Sequence, residues 1–161
     1  MSRLDSFIRR LEAQRIGLDW ACAELGPGLV LEIGLGNGRT YDHLRSRLGG
    51  ARAIHAFDRA VAAHPDCVPP EDRLHLGDIR ETLPAFAGRF PQSAALVHAD
   101  IGSGLAAQTA TLAAFIARHL PAILAPSGLV VADQPMACEA LVELPPPTGV
   151  DAGRYFFYRR R

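Results

Sequence analysis

An apolar run followed by three alternating glycines constrains this chain more than any other feature of its sequence. The run covers residues 30–33, and every second residue after it is a glycine: Gly34, Gly36 and Gly38. A polar helix pattern begins at Arg39. Glycines let the backbone turn sharply and let a ligand approach without Cβ atoms in the way. The stretch therefore predicts a buried parallel strand, a nucleotide-binding loop and a helix.

The spacing of the glycines distinguishes between several kinds of nucleotide-binding site. A dinucleotide fingerprint has glycines at the first, third and sixth positions of its loop. Here the sixth position is Arg39, and the third glycine comes one residue early, at Gly38. A phosphate-binding P-loop needs a lysine, whereas every basic residue of this chain is an arginine. A nicotinamide-dependent oxidoreductase is retained as an alternative that the glycine spacing disfavours.

The acid-x-Gly-x-Gly-x-Gly pattern from Glu32 to Gly38 resembles the first motif of the class I S-adenosylmethionine-dependent methyltransferases. In that family the acid recognises the amino end of the cofactor's methionine part, often through water. A nicotinamide site has no cationic amine at this position, so Glu32 also disfavours an oxidoreductase. The resemblance implies a methyltransferase that binds S-adenosylmethionine. A non-catalytic, methyltransferase-like binding or assembly module is a further alternative.

Strands that alternate with helices predict an α/β fold with a parallel sheet. Five such strands followed by an antiparallel pair resemble the seven-stranded methyltransferase sheet over nearly the whole chain. We expect a three-layer α/β/α sandwich, mostly parallel, with a C-terminal antiparallel hairpin. One domain is expected over residues 1–161, with an N-terminal helix at 1–25, a cofactor-binding core at 28–133 and the hairpin at 139–161. Residues 134–139 are too short for the helix that the family places there.

Four carboxylates end the second to fifth predicted strands, where an open parallel sheet binds its ligand. The resemblance implies that Asp58 binds the ribose hydroxyls and that Asp78 accepts from the adenine amino group. A helix N-cap is the alternative for both. The predicted cofactor-binding residues are Glu32, Gly34, Leu35, Gly36, Asn37, Gly38, Arg39, Thr40, Asp58, Arg59, Gly77, Asp78, Ile79 and Asp100.

Asp100, Asp133 and Gln134 end neighbouring strands in the family's strand order. Two carboxylates and an amide oxygen suit a hard cation such as Mg²⁺. The stretch 130–134 resembles that of the catechol and caffeoyl-CoA O-methyltransferases, which bind a metal there. Gln134 replaces their asparagine, and Ser103 stands where the catechol type carries a lysine. A divalent metal at these three residues is therefore a hypothesis. The alternative role for Asp100 is to lie near the amino acid end of S-adenosylmethionine, the methyl donor.

Histidines are the candidates for a general base, because the chain has no lysine. His98 lies two residues before Asp100 and points to the same side of its strand. We therefore predict Asp100 and His98 as catalytic residues. His43 and His64 are further candidates, and for each histidine a surface or core role is the alternative.

A formal net charge of zero and a pI of about 7.0 give no electrostatic case for nucleic acid. After the fourth strand the chain reads Ala99-Asp100-Ile101-Gly102. This differs from the asparagine-proline-proline-tyrosine signature of amino-group DNA methyltransferases. We expect a small-molecule acceptor, no membrane segment and a cytoplasmic location. The chain lacks an inserted substrate domain, so either the first helix and the C-terminal hairpin or a second subunit covers the pocket, and on that ground we expect a homo-oligomer.

Overall fold

The computed structural model describes residues 2–161; Met1, the first residue of the predicted N-terminal range, lies outside them. The helices are α1 (Arg3–Glu24), α2 (Arg39–Leu48), α3 (Ile79–Arg89) and α4 (Ala106–Ile123). The strands are β1 (Leu29–Ile33), β2 (Ile54–Asp58), β3 (Leu74–Leu76), β4 (Ala94–Ala99), β5 (Leu124–Ala132), β6 (Leu141–Leu144) and β7 (Phe156–Arg160). Short 3-10 turns cover Gly49–Ala51, Pro65–Cys67 and Glu71–Arg73.

The strands form one sheet in the order β3-β2-β1-β4-β5-β7-β6. The first five are parallel, and β7 is antiparallel to both of its neighbours. The predicted α/β fold with a mostly parallel sheet and a C-terminal antiparallel hairpin is confirmed. Chain order reverses between β1 and β4, and open sheets of this kind bind ligands at such a switch point. The register there places Glu32 opposite His98.

Helices cover both faces of the sheet, because side chains of successive strand residues point to opposite faces. On one face, Leu18 of α1 and Leu44 of α2 pack with Val30, Val131 and Phe157 of the sheet. On the other face, residues of α3 and α4 pack on the alternate positions of the same strands. The result is the expected three-layer sandwich.

The first helix departs from its expected packing. Ser2 and Asp5 form a capping box at its start. The apolar stripe continues along α1, but only its second half is buried against the sheet. Leu4, Phe7 and Ile8 are 66%, 48% and 45% exposed. The first half of α1 instead borders an open cleft, and Phe7 is the one of these three side chains that lines it.

Strand β5 begins at Leu124, well before Leu129, where the apolar pattern of the sequence indicates its start. Two local features hide the early part of the strand. Pro121 lies inside the last turn of α4, and Ser127 has a positive φ of 60°. Proline disfavours a helix interior, and a positive φ is uncommon for serine, yet the helix and the strand continue across these two residues.

Truncation of Leu18 tests how much α1 contributes to the fold. Leu18 is 1% exposed, and its removal leaves a cavity beneath the helix. We expect Leu18→Ala to lower the free energy of unfolding by about 2–5 kcal/mol in urea denaturation. The control Leu4→Ala lies on the same helix with an exposed side chain, and we expect a change within about 0.5 kcal/mol. Equal losses for both variants would contradict this account.

Candidate functional site

A cleft of about 1090 Å³ opens at the carboxyl ends of the parallel strands. Its walls are the glycine loop after β1, the ends of β2 and β3, the segment 100–112 and the first half of α1. Most residues predicted to bind the cofactor line it: Gly34, Leu35, Gly36, Asn37, Arg39, Thr40, Asp58, Arg59, Gly77, Ile79 and Asp100. Three predicted residues do not line the cleft: Glu32, Gly38 and Asp78. Gly38 and Asp78 are flanked by residues that do line it, and Glu32 accepts a hydrogen bond from Thr40, which also lines it.

Asp58 holds the glycine loop in place. The Gly36 amide donates to one carboxylate oxygen at 2.8 Å, and the Arg59 amide donates to the other at 2.7 Å. A carboxylate oxygen accepts more than one hydrogen bond, so Asp58 retains acceptor capacity toward the cleft. The Gly36 α-carbon faces open space, since nothing lies within 4 Å of an added Cβ. The loop is thus rigid on its Asp58 side and open toward a ligand.

Glu32 and His98 form a pair beneath the cleft, with no exposed surface on either side chain. His98 Nδ1 lies 2.7 Å from one oxygen of Glu32, and the Thr40 hydroxyl donates to the other. The structure therefore corrects the prediction of His98 as general base, because a fully buried ring that does not line the cleft cannot reach an acceptor. Glu32 meets the cleft only through Thr40, which fits the indirect contact that the motif implies.

Asp100 lies at the end of β4 and is held from α1. Arg10 Nη1 lies 3.2 Å from Oδ1, and Gln14 Nε2 donates to Oδ2 at 2.8 Å. The same Gln14 nitrogen donates to the Tyr155 hydroxyl at 2.7 Å. Burial of Tyr155 raises the pKa of its hydroxyl, and the nearby Asp100 adds to the effect. Asp100 therefore links the first helix and the C-terminal hairpin to the cleft.

Asp78 occupies the N-cap position of α3. Its Oδ1 accepts from the Arg80 amide at 2.9 Å, and this hydrogen bond lowers the pKa of the carboxyl. The cap uses one oxygen and leaves the other for a ligand. The adenine contact thus stays a prediction, supported by the neighbours Gly77 and Ile79, which line the cleft.

The proposed divalent metal site is not supported. Both carboxylate oxygens of Asp133 accept backbone hydrogen bonds, from Ile101 and Gly102 at 3.0 and 2.9 Å. The Gln134 side chain turns its amide nitrogen toward Asp133. Within residues 2–161, no group of three or more His, Cys, Asp or Glu side chains is placed to hold a metal ion. Burial raises the pKa of the Asp133 carboxyl, and the charge of Asp100 adds to this effect.

The sequence predicts that the first helix can cover the pocket, but it did not indicate which residues of α1 reach the site. Phe7, Arg10, Leu11 and Gln14 line the cleft, at the i, i+3, i+4 and i+7 positions of one helical face. The signal available in the sequence was the presence of two polar residues, Arg10 and Gln14, on the same helical face as Phe7 and Leu11. The other histidine candidates lie elsewhere: His43 pairs with Asp19, and His64 caps a 3-10 turn.

The glycine loop and the acids from several strand ends meet at the switch-point cleft, as expected for a class I S-adenosylmethionine-dependent methyltransferase. A family model described as S-adenosyl-L-methionine methyltransferase matches residues 1–160, and the chain belongs to this family. It is thus an enzyme that uses S-adenosylmethionine.

Solved structures agree with this assignment. The S-adenosyl-L-methionine methyl transferase from Silicibacter pomeroyi DSS-3 is 50% identical with a TM-score of 0.92, covering 100% of this chain and 99% of that one. TrmN from Thermus thermophilus is 19% identical with a TM-score of 0.60, covering 89% of this chain and 47% of that one. A methyltransferase from Geobacter sulfurreducens is 15% identical with a TM-score of 0.51, covering 100% and 81%. The last two share the fold alone. None of the curated proteins matches this chain. No helix within residues 2–161 is long and apolar enough to cross a membrane.

Two glycine variants separate the binding role of the loop from its structural role. In Gly36→Ala the new methyl group enters the open cleft, so we expect S-adenosylhomocysteine binding to fall at least about tenfold in calorimetry. The φ of 51° at this position adds backbone strain of about 1–2 kcal/mol, and we expect the chain to stay folded. In Gly34→Ala the methyl group also meets the Asp100 carbonyl oxygen at a φ of 92°, so we expect a larger loss of stability. Normal binding by Gly36→Ala would contradict a donor seated against this loop.

The buried His98–Glu32 pair makes stability depend on pH. Burial of the ring lowers the pKa of His98, but the charge and hydrogen bond of Glu32 outweigh it and raise the pKa overall. The folded chain then holds the proton more tightly than the unfolded chain. This stabilisation is complete below about pH 6.5, the ordinary histidine value, and is lost as the pH rises through the raised pKa.

We therefore expect the unfolding free energy of wild type, relative to His98→Gln, to decrease as the pH rises above about 6.5. Urea denaturation at a series of pH values measures this difference. A difference that stays constant or grows with pH would contradict a charged His98–Glu32 pair.

Proposed function

We propose that this methyltransferase acts on a small-molecule acceptor that binds beside the donor in the same cleft. The observation that carries the proposal is the composition of the cleft walls. One side holds the glycine loop and Asp58. The other side lies between α1 and α4 and is lined by Phe7, Leu11, Gln108 and Leu112. The second group has no counterpart in the donor motifs and is available to an acceptor.

The donor side follows from the placement of the predicted residues. Asp58 binds the ribose hydroxyls with the acceptor capacity that the loop hydrogen bonds leave. Gly77 and Ile79 border the adenine, with the free oxygen of Asp78 on its amino group. Asp100 and the Glu32–Thr40 pair lie toward the methionine part. The cofactor supplies a methyl group already activated by its sulfonium, so the chain's task is alignment of donor and acceptor.

The size of the cleft supports room for two ligands. Pockets that enclose one drug-sized ligand measure about 300–1,000 Å³, and this cleft, at about 1090 Å³, is slightly larger than that range. The first half of α1 forms one wall of the cleft. A small acceptor fits this enclosure better than a folded macromolecule.

The character of the acceptor side indicates mixed chemistry. Phe7, Leu11 and Leu112 are apolar, while Ser103 and Gln108 supply hydrogen-bonding groups. Such a wall binds an apolar body and orients it with a few polar contacts. The net charge of zero adds no general attraction for a polyanion. Asp100 is the proposed catalytic residue, as the carboxylate that lines the cleft between the donor and acceptor sides.

Methyl transfer from labelled S-adenosylmethionine tests the acceptor class. The purified enzyme is incubated in parallel with the small-molecule, RNA and protein fractions of a cell extract, and label is counted in each fraction. We expect label in the small-molecule fraction, lost in Gly36→Ala because that variant obstructs the donor. The surface variant Arg118→Met, on α4 away from the cleft, serves as the control with unchanged transfer. Label confined to RNA or protein would contradict the proposal.

A further inference from the structure

Arg10 brings a positive charge from α1 into the cleft, next to Asp100. Both side chains line the cleft, and the guanidinium lies 3.2 Å from Asp100 Oδ1. We propose that Arg10 binds the carboxylate of the donor's methionine part, and that it leaves Asp100 to do so. The inference rests on the proposed placement of that part at Asp100.

The two partners of Asp100 differ in how firmly they are held. Gln14 is 6% exposed, and its amide nitrogen donates to both Asp100 and Tyr155, which uses both of its hydrogens. Arg10 is 42% exposed by side chain and makes one contact, to the other oxygen. A partly exposed ion pair of this kind contributes little to stability. Gln14 is thus the fixed partner of Asp100, and Arg10 is the exchangeable one.

The chemistry of an α-amino acid matches this arrangement. Its ammonium and carboxylate are attached to one carbon and carry opposite charges. The ammonium suits Asp100 Oδ1, and the carboxylate suits the planar fork of a guanidinium, which binds it in a bidentate manner. Before binding, Arg10 and Asp100 neutralise each other; afterwards each faces one end of the amino acid. Every charge stays paired throughout, so no buried charge is left uncompensated.

Arg39 is the rival for this role. It lines the cleft and has no ion-pair partner among the described residues 2–161. Arg39 is the first residue of α2, next to the glycine loop. Arg10, in contrast, already contacts Asp100, the carboxylate that we propose binds the ammonium of the methionine part. Arg10 therefore lies beside the one group that must be its neighbour in the bound state.

Calorimetry with two ligands tests the inference without any acceptor. S-adenosylhomocysteine carries the carboxylate, and its decarboxylated analogue retains the amine but lacks the carboxylate. We expect wild type to prefer S-adenosylhomocysteine, and Arg10→Met to lose about tenfold to a hundredfold on this ligand while changing little on the analogue. Arg9→Met is the matched control: it adjoins Arg10 but pairs with Asp151 outside the cleft. We expect it to keep wild-type preference.

The outcomes distinguish the failure of this inference from that of the donor placement. If Arg10→Met keeps the wild-type preference, or if Arg39→Met abolishes it instead, Arg10 does not bind the carboxylate. Equal losses on both ligands overturn the inference too, because they reflect damage to the fold or to Asp100. If wild type itself does not distinguish the two ligands, the placement of the methionine part at Asp100 fails, and the inference fails with it.

Discussion

The close approach of the β1 and β4 ends is the constraint on which the rest of the site depends. Gly34 follows β1 with a φ of 92°, and an added Cβ there would meet the Asp100 carbonyl oxygen. The Asp100 amide in turn donates to the Ile33 carbonyl at 3.0 Å. This contact brings the glycine loop and Asp100 together at the switch point. A side chain at position 34 would separate them, and the cleft would lose its shape.

Polar groups buried beneath α1 make that junction specific. Glu32 on β1 pairs with His98 on β4, and the His98 ring stacks on Tyr155 at a centroid distance of 6.2 Å. Gln14 then joins Tyr155 to Asp100. Buried charges are costly unless they are paired and hydrogen-bonded, so such a group favours one arrangement of strands and helix over its alternatives. We infer that it fixes the positions of Glu32 and Asp100 relative to each other at some expense in stability.

The predictable part of the site is the part encoded by local sequence. The glycine loop and the strand-end acids follow from short motifs, and most of those residues line the cleft as the motifs indicate. His98 illustrates the limit. Its place two residues before Asp100 correctly gives the face of the strand, but its partner Glu32 is 66 residues away. Only the strand order puts the two side by side, and this pairing converts an apparent base into a buried partner of the motif acid.

The same limit applies to α1, where the contacts to Asp100 span 86 and 90 residues. Periodicity alone treats the whole helix as one core-facing stripe. The structure divides it into a buried half that packs on the sheet and an exposed half that borders the cleft. Gln14 sits at the junction of the two halves, one turn after Arg10 and one turn before the buried Leu18. We infer that a change in the core of α1 would reach the cleft through Gln14 and Asp100, without any contact between the altered residue and a ligand.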